Sequence, residues 1–177
     1  MIKIMEVRNV ANYKLIKIYS KEDKDRINSF LKVEPVEITE NIIMIKYGLF
    51  LPYFKINKFI LKENMDHVIL YSEIFFKLIK CFLGEKIKII KIKLSDAQDD
   101  IEERIDEALN RLDFEEEKSI ENLLKILEKH IPESNIDIQY LKVDLDNNEI
   151  IIYNNGVLTD DTNDSVLSIK EILCCGL

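Results

Sequence analysis

Tryptophan is missing from these 177 residues, and glycine (4), proline (3) and cysteine (3) are scarce. With so few chain-breakers, long regular elements joined by short loops are expected. Cys81, Cys174 and Cys175 form no C-x-x-C and cannot all pair, which excludes a disulfide framework and fits a reducing compartment. The most apolar run, residues 67–84, is interrupted by Glu73, Lys77 and Lys80. It falls short of the ~20 uncharged residues a spanning helix needs. "MIKIMEV" at the start is too short and too interrupted for the apolar core of a secretory signal. A soluble, cytoplasmic protein with no membrane partner is the expectation. The final Cys174-Cys175-Gly176-Leu177 has the C-a-a-X form, but Gly176 is not aliphatic and the preceding stretch is acidic, so lipidation is not expected.

Catalytic signatures are missing too. There is no G-x-S-x-G, no Walker-type loop and no H-E-x-x-H. The two histidines, His67 and His130, stand far apart in sequence. No catalytic, cofactor-binding or metal-ligating residue is assigned, and no cofactor is expected.

What the chain does have is apolar residues (47%) and charge (33%) in the proportions of a globular protein. The charge is divided. Residues 1–94 carry 18 Lys and Arg against 11 Asp and Glu, and residues 95–177 carry 7 against 22. The halves therefore stand at +7 and −15, which implies distinct binding surfaces or complementary packing within one fold.

Period-two alternation marks "MIKIMEV" and "YKLIKIY" as strands. Ser20 and Asp23 are spaced as a capping pair before a short helix with Ile27, Phe30 and Leu31 on one face, closed by Pro35. Residues 40–62 read as two extended segments around Gly48 and Pro52. A largely buried helix is expected from Met65 to Leu83, ended by Gly84. "KIKIIKIKL" (86–94) is the clearest strand, with lysines repeatedly on one side. Ser95 and Gln98 repeat the capping pattern before an amphipathic helix with an Ile101, Ile105, Ala108, Leu109 and Leu112 stripe. A second helix through Ile120, Leu123, Leu124, Leu127 and Ile131 stops at Pro132, giving an antiparallel hairpin hinged near Asp113 and Phe114. Strands at "IDIQYLKVD" and "EIIIY" and a short C-terminal helix complete an α+β chain, expected as a mixed or antiparallel sheet packed against several helices. Residues 1–177 are expected to form one domain, with a division near 94/95 as the alternative.

The stretch 140–164 is the most site-like. "DLDNNEIIIYNN" begins as a calcium loop does, with Asp144, Asp146 and Asn148, but Glu149 stands where the tight turn needs Gly and Asn155 where a bidentate Glu is needed. "DNNE" and "NNG" instead suit two tight turns, and Asp160, Asp161 and Asp164 a polar loop before the last helix.

Residues 143–156, "VDLDNNEIIIYNNG", also resemble the strand–turn–strand that precedes the first glycine box of the histidine-kinase and type II topoisomerase ATPase superfamily. That resemblance implies an adenine contact at Asn155-Gly156 and a magnesium ligand at Asn122. Only Gly176 follows Gly156, so the family's glycine-rich phosphate lid has no counterpart and no amide cradle for phosphates is expected.

The function expected is therefore a non-catalytic interaction or adaptor protein of a soluble assembly, meeting another protein or a second copy of itself. Its expected surface is the single-signed helix (Asp99, Glu103, Asp106, Glu107) and the lysine strand (Lys86, Lys88, Lys91, Lys93). The alternatives are a metal-dependent hydrolase or nuclease built from the C-terminal carboxylates and, more weakly, a nucleic-acid-associated protein using the basic half. Against the last stand a pI near 4.9 and the lack of aromatics among the strand's lysines.

Overall fold

The computed structural model describes residues 10–85, 87–95, 99–112, 116–134, 137–145, 147–161 and 166–177. "MIKIMEV", Gln98, Asp113, Phe114 and Asp164, on which part of the sequence reading rests, lie outside them.

The fold is α+β, and the described residues form an antiparallel sheet of eight strands with six helices. β1 (Ala11–Lys17) lies between β3 (Ile42–Tyr47) and β8 (Val157–Asp160). β2 (Val36–Thr39) pairs with β3 at one edge. β7 (Asn148–Tyr153), β6 (Ile138–Leu145) and β5 (Lys88–Leu94) extend the sheet beyond β8 to the other edge. The two-residue β4 (Asp66–His67) pairs with the end of β1, beyond the reach of β8. One sheet thus runs through the basic and the acidic halves.

Strand alternation sends Tyr13, Leu15, Leu141, Val143, Ile150, Ile152 and Leu158 to one face, packed under α3 (Ser72–Gly84), α4 (Asp99–Arg111), α5 (Glu116–Ser134) and α6 (Val166–Gly176). Ile16, Ile18, Ile43 and Ile45 point the other way, under α1 (Lys21–Leu31) and α2 (Tyr53–Lys62). That second layer covers only the β1 and β3 end. The residues of β5 to β8 on the same face are half-buried or exposed.

Local signals were followed where neighbours in sequence decide. Asp23 accepts the N–H groups of Ser20 and Tyr19, each at 2.9 Å, and closes the start of α1. Ile101, Ile105, Ala108 and Leu109 of α4 pack with Leu123, Ile126 and Leu127 of α5 in one core.

Several boundaries differ from the periodicity. Residues 53–62 form a helix instead of a second extended segment, with Pro52 as its N-cap and Ile56, Phe59 and Ile60 buried at helical spacing. α3 starts at Ser72, because Val68 and Leu70 spend their N–H groups on Leu15 and Asn154 carbonyls (3.4 and 2.7 Å) in an extended segment. α1 ends at Leu31, before Pro35, with Lys32 at φ 55°, and Phe30 is exposed instead of facing the core. α5 continues through Pro132, which removes one hydrogen bond near the helix end. Residues 157–160 pair as β8 instead of looping, and Asp160 is fully buried.

Candidate functional site

The lysine strand shares one face because of a bulge. A regular strand would put Lys88 on the face opposite Lys91 and Lys93. The β5–β6 register shifts between Ile89 and Lys91, so Lys88 faces Asp144, Lys91 faces Lys142, and Lys93 faces Tyr140. Lys86 lies outside the described residues. Lys93 Nζ is 2.7 Å from Glu102 of α4, and a Glu102 oxygen also accepts the Leu94 N–H at 3.4 Å. The acidic helix and the basic strand therefore meet within one chain at this edge. Glu103 and Glu107 are exposed and Asp106 half-buried. Glu107 lies 3.8 Å from Arg111. Asp99 opens α4, but its side chain is not described.

In the acidic stretch, Asp144, Asn155 and Asp161 hold main-chain amides at turns and strand ends. Asp144 accepts the Asn147 N–H at 2.9 Å, and Asn147 adopts φ 68°. Asp161 accepts the Glu149 N–H at 2.9 Å, while Glu149 pairs with Lys142 at 2.8 Å. Asn155 Oδ1 caps the Val157 N–H at 3.1 Å, and Gly156 stands at φ +71°. A Cβ at Gly156 would lie 2.4 Å from the Val68 carbonyl oxygen, so glycine is required both for conformation and for space. Among the described residues no group of three or more His, Cys, Asp or Glu is placed to hold a metal ion.

Asn155 lines a cleft with Tyr47, Tyr53, Tyr153, Val157 and Thr159, on the face carrying α2. Asn122 is exposed on α5, in the helical layer on the other side of the sheet. The two asparagines on which a nucleotide pocket would rest are thus not brought together.

Each histidine has a side-chain neighbour. His67 lies on β4 with Nε2 2.7 Å from Asn57 Oδ1, and burial together with the nearby Lys14 ammonium lowers its pKa. His130 Nε2 is 3.4 Å from the Arg104 guanidinium. Cys174 is exposed on α6, and its Sγ contacts the Ile38 carbonyl at 3.0 Å.

Two features escaped the sequence reading. The first is an apolar projection. The Gly48 N–H donates to the Leu51 carbonyl (2.9 Å) and Leu51 is buried, so the tight loop is anchored while Leu49 and Phe50 stand out from it at 98% and 101% exposure. Phe54 and Leu61, also exposed, continue the surface along α2. Lys55, Lys58 and Lys62 border it, and α2 contains no acidic residue.

The second is a line of tyrosines across the open sheet face. Tyr140 and Tyr153 are cross-strand partners with ring centroids 5.6 Å apart. Tyr47 and Tyr53 lie 5.4 Å apart and line, with Tyr153, a shallow open cleft of ≈370 Å³. Burial, then the neighbouring Tyr53 and Tyr153, raise the Tyr47 pKa, so its hydroxyl stays protonated. Among the described residues, no helix is long and apolar enough to cross a membrane. No protein-family model, no curated protein and no solved structure matches this chain.

Proposed function

We propose that this chain is a non-catalytic interaction protein, an adaptor or subunit that docks on another protein through Leu49, Phe50 and the outer face of α2. The observation that carries the reading is the full exposure of Leu49 and Phe50 beside an anchored Leu51. Burying one such side chain is worth about 1.5–3 kcal/mol, which a docked partner recovers. Contiguous apolar exposure marks interaction surfaces, and aromatic anchors concentrate binding energy. Lys55, Lys58 and Lys62, with no acid on α2, select a partner whose apolar recess is rimmed by carboxylates. The acidic face of α4, with Glu103 and Glu107 exposed, is a second surface of the same adaptor, suited to a basic partner.

A photo-crosslinking phenylalanine at position 50 tests this, with the same group at exposed Glu73 as control. The expected result is an adduct with a different protein, lost in Lys55→Glu/Lys58→Glu, and a direct complex of the two purified proteins that Leu49→Ser/Phe50→Ser abolishes. Self-adducts alone, sedimentation with anionic vesicles alone, or equal labelling from both positions would each overturn the reading.

A further inference from the structure

We infer that the open face of β5 to β8 binds single-stranded nucleic acid, with tyrosines stacking bases and lysines meeting phosphates. This surface lies apart from Leu49 and Phe50 and stands independently of the docking reading.

The sequence of β5 argues against such a platform, since no aromatic residue separates its lysines. The sheet supplies them from neighbouring strands. Lys93 faces Tyr140, and Tyr140 faces Tyr153. One row along, Lys91 faces Lys142, which faces Ile151. Ammonium groups and phenol rings therefore run side by side across strands about 4.8 Å apart. Tyr140 and Tyr153 are half-buried, held by the sheet yet open on one side. Beyond Tyr153 the line continues into the cleft that it lines together with Tyr47 and Tyr53, where Asn155 and Thr159 offer polar edges.

The same face carries Lys88, Lys91, Lys93 and Lys142, with the carboxylates Asp144 and Glu149, and Glu102 reaching its rim. The face has no net positive charge of its own, since Asp161 also stands beside Glu149, and its four lysines are matched by carboxylates. Lys142 contacts Glu149 at 2.8 Å and Lys93 contacts Glu102 at 2.7 Å. Both pairs are only half-buried, and ion pairs open to solvent are worth only ~0–1 kcal/mol, so a phosphate can compete for the lysines. The net charge of −8 acts from farther away, and salt near 0.1 M screens it beyond about 10 Å. A short oligonucleotide touching few phosphates is then bound mainly by stacking, which is worth ~1–3 kcal/mol per base and tolerates any sequence. Duplex is excluded because its bases are already stacked and the platform has no element to enter a groove.

The test is fluorescence anisotropy of the full chain with labelled oligo-dT and oligo-rU of about 12 nucleotides, and with a duplex of the same length. Single strands should bind with micromolar affinity and duplex much more weakly. Tyr153→Ala and Tyr140→Ala should each lose about 5–100-fold, Tyr153→Phe should retain affinity, and Lys91→Glu/Lys142→Glu should weaken binding and flatten its salt dependence. Leu49→Ser/Phe50→Ser should leave binding unchanged. Ultraviolet crosslinking of a bromouridine oligonucleotide to the unaltered protein, mapped by mass spectrometry, should label Tyr140 or Tyr153. No binding at tens of micromolar protein, equal binding of duplex, or crosslinks confined to other surfaces would overturn the inference.

Discussion

Lys14 on β1 donates from its ammonium to the main-chain carbonyl of Asn155, 141 residues farther along the chain. The residue is fully buried, and the Val68 carbonyl lies 3.5 Å from the same nitrogen. One cation thereby ties the first central strand to the β7–β8 turn and to the segment before α3. Burial pushes its pKa from 10.5 down to about 8.

That shift has a signed consequence. Between pH 8 and 10.5 the unfolded chain holds a proton at Lys14 that the folded chain has lost, so folding stability rises with pH across this window. Below pH 8 both states are protonated and the penalty is constant. Urea midpoints should show Lys14→Met losing its advantage, or gaining a disadvantage, of about 2 kcal/mol relative to the unaltered chain between pH 7.5 and 9.5. A pH-independent difference between the two proteins would show that the ammonium titrates normally.

Gly156 and Gly84 should respond oppositely to alanine. Gly156 combines φ +71° with the Val68 carbonyl where a methyl would sit, so Gly156→Ala should cost more than about 2 kcal/mol. Gly84 closes α3 with nothing near its missing Cβ. Gly84→Ala should stabilise by about 0.5–1 kcal/mol, as measured by thermal melting.

Adjacent leucines of α5 should separate. Leu123 is fully buried and Leu124 half-buried. Leu123→Ala should cost about 3–5 kcal/mol and Leu124→Ala about 1. Leu109→Ala, 7% exposed on α4, should cost about 2–4 kcal/mol. Equal losses at 123 and 124 in denaturant titrations would mean that the buried face of α5 is rotated.

Leu49→Ser/Phe50→Ser should leave the melting temperature within about one degree, because neither side chain contributes buried area. Leu51→Ser, one position on, should lower it by several degrees, since Leu51 belongs to the core under α2. Differential scanning fluorimetry on the three proteins checks both.

What the sequence determined by itself was structure set by close neighbours. The Asp23 cap depends on residues three and four positions away, and the α4 and α5 stripes on a 3.6-residue repeat. The β6–β7 hairpin needs two β-forming runs and a turn. All of these were legible because local periodicity reports on groups within one or two turns of chain. The tertiary structure decided the rest. Residues 53–62 and 65–71 carry apolar patterns that suit either period, and pairing of 66–70 with β1 and the β7–β8 turn chose extended chain over helix there. The bulge that gathers Lys88, Lys91 and Lys93 exists only in register with β6. The tyrosine line draws on β3, α2, β6 and β7, and the burial of Lys14 on a turn 141 residues away. The open face of β5 to β8 consists of such distant meetings, and strand pairing across the chain, which leaves no mark on any short stretch, is what brings it about.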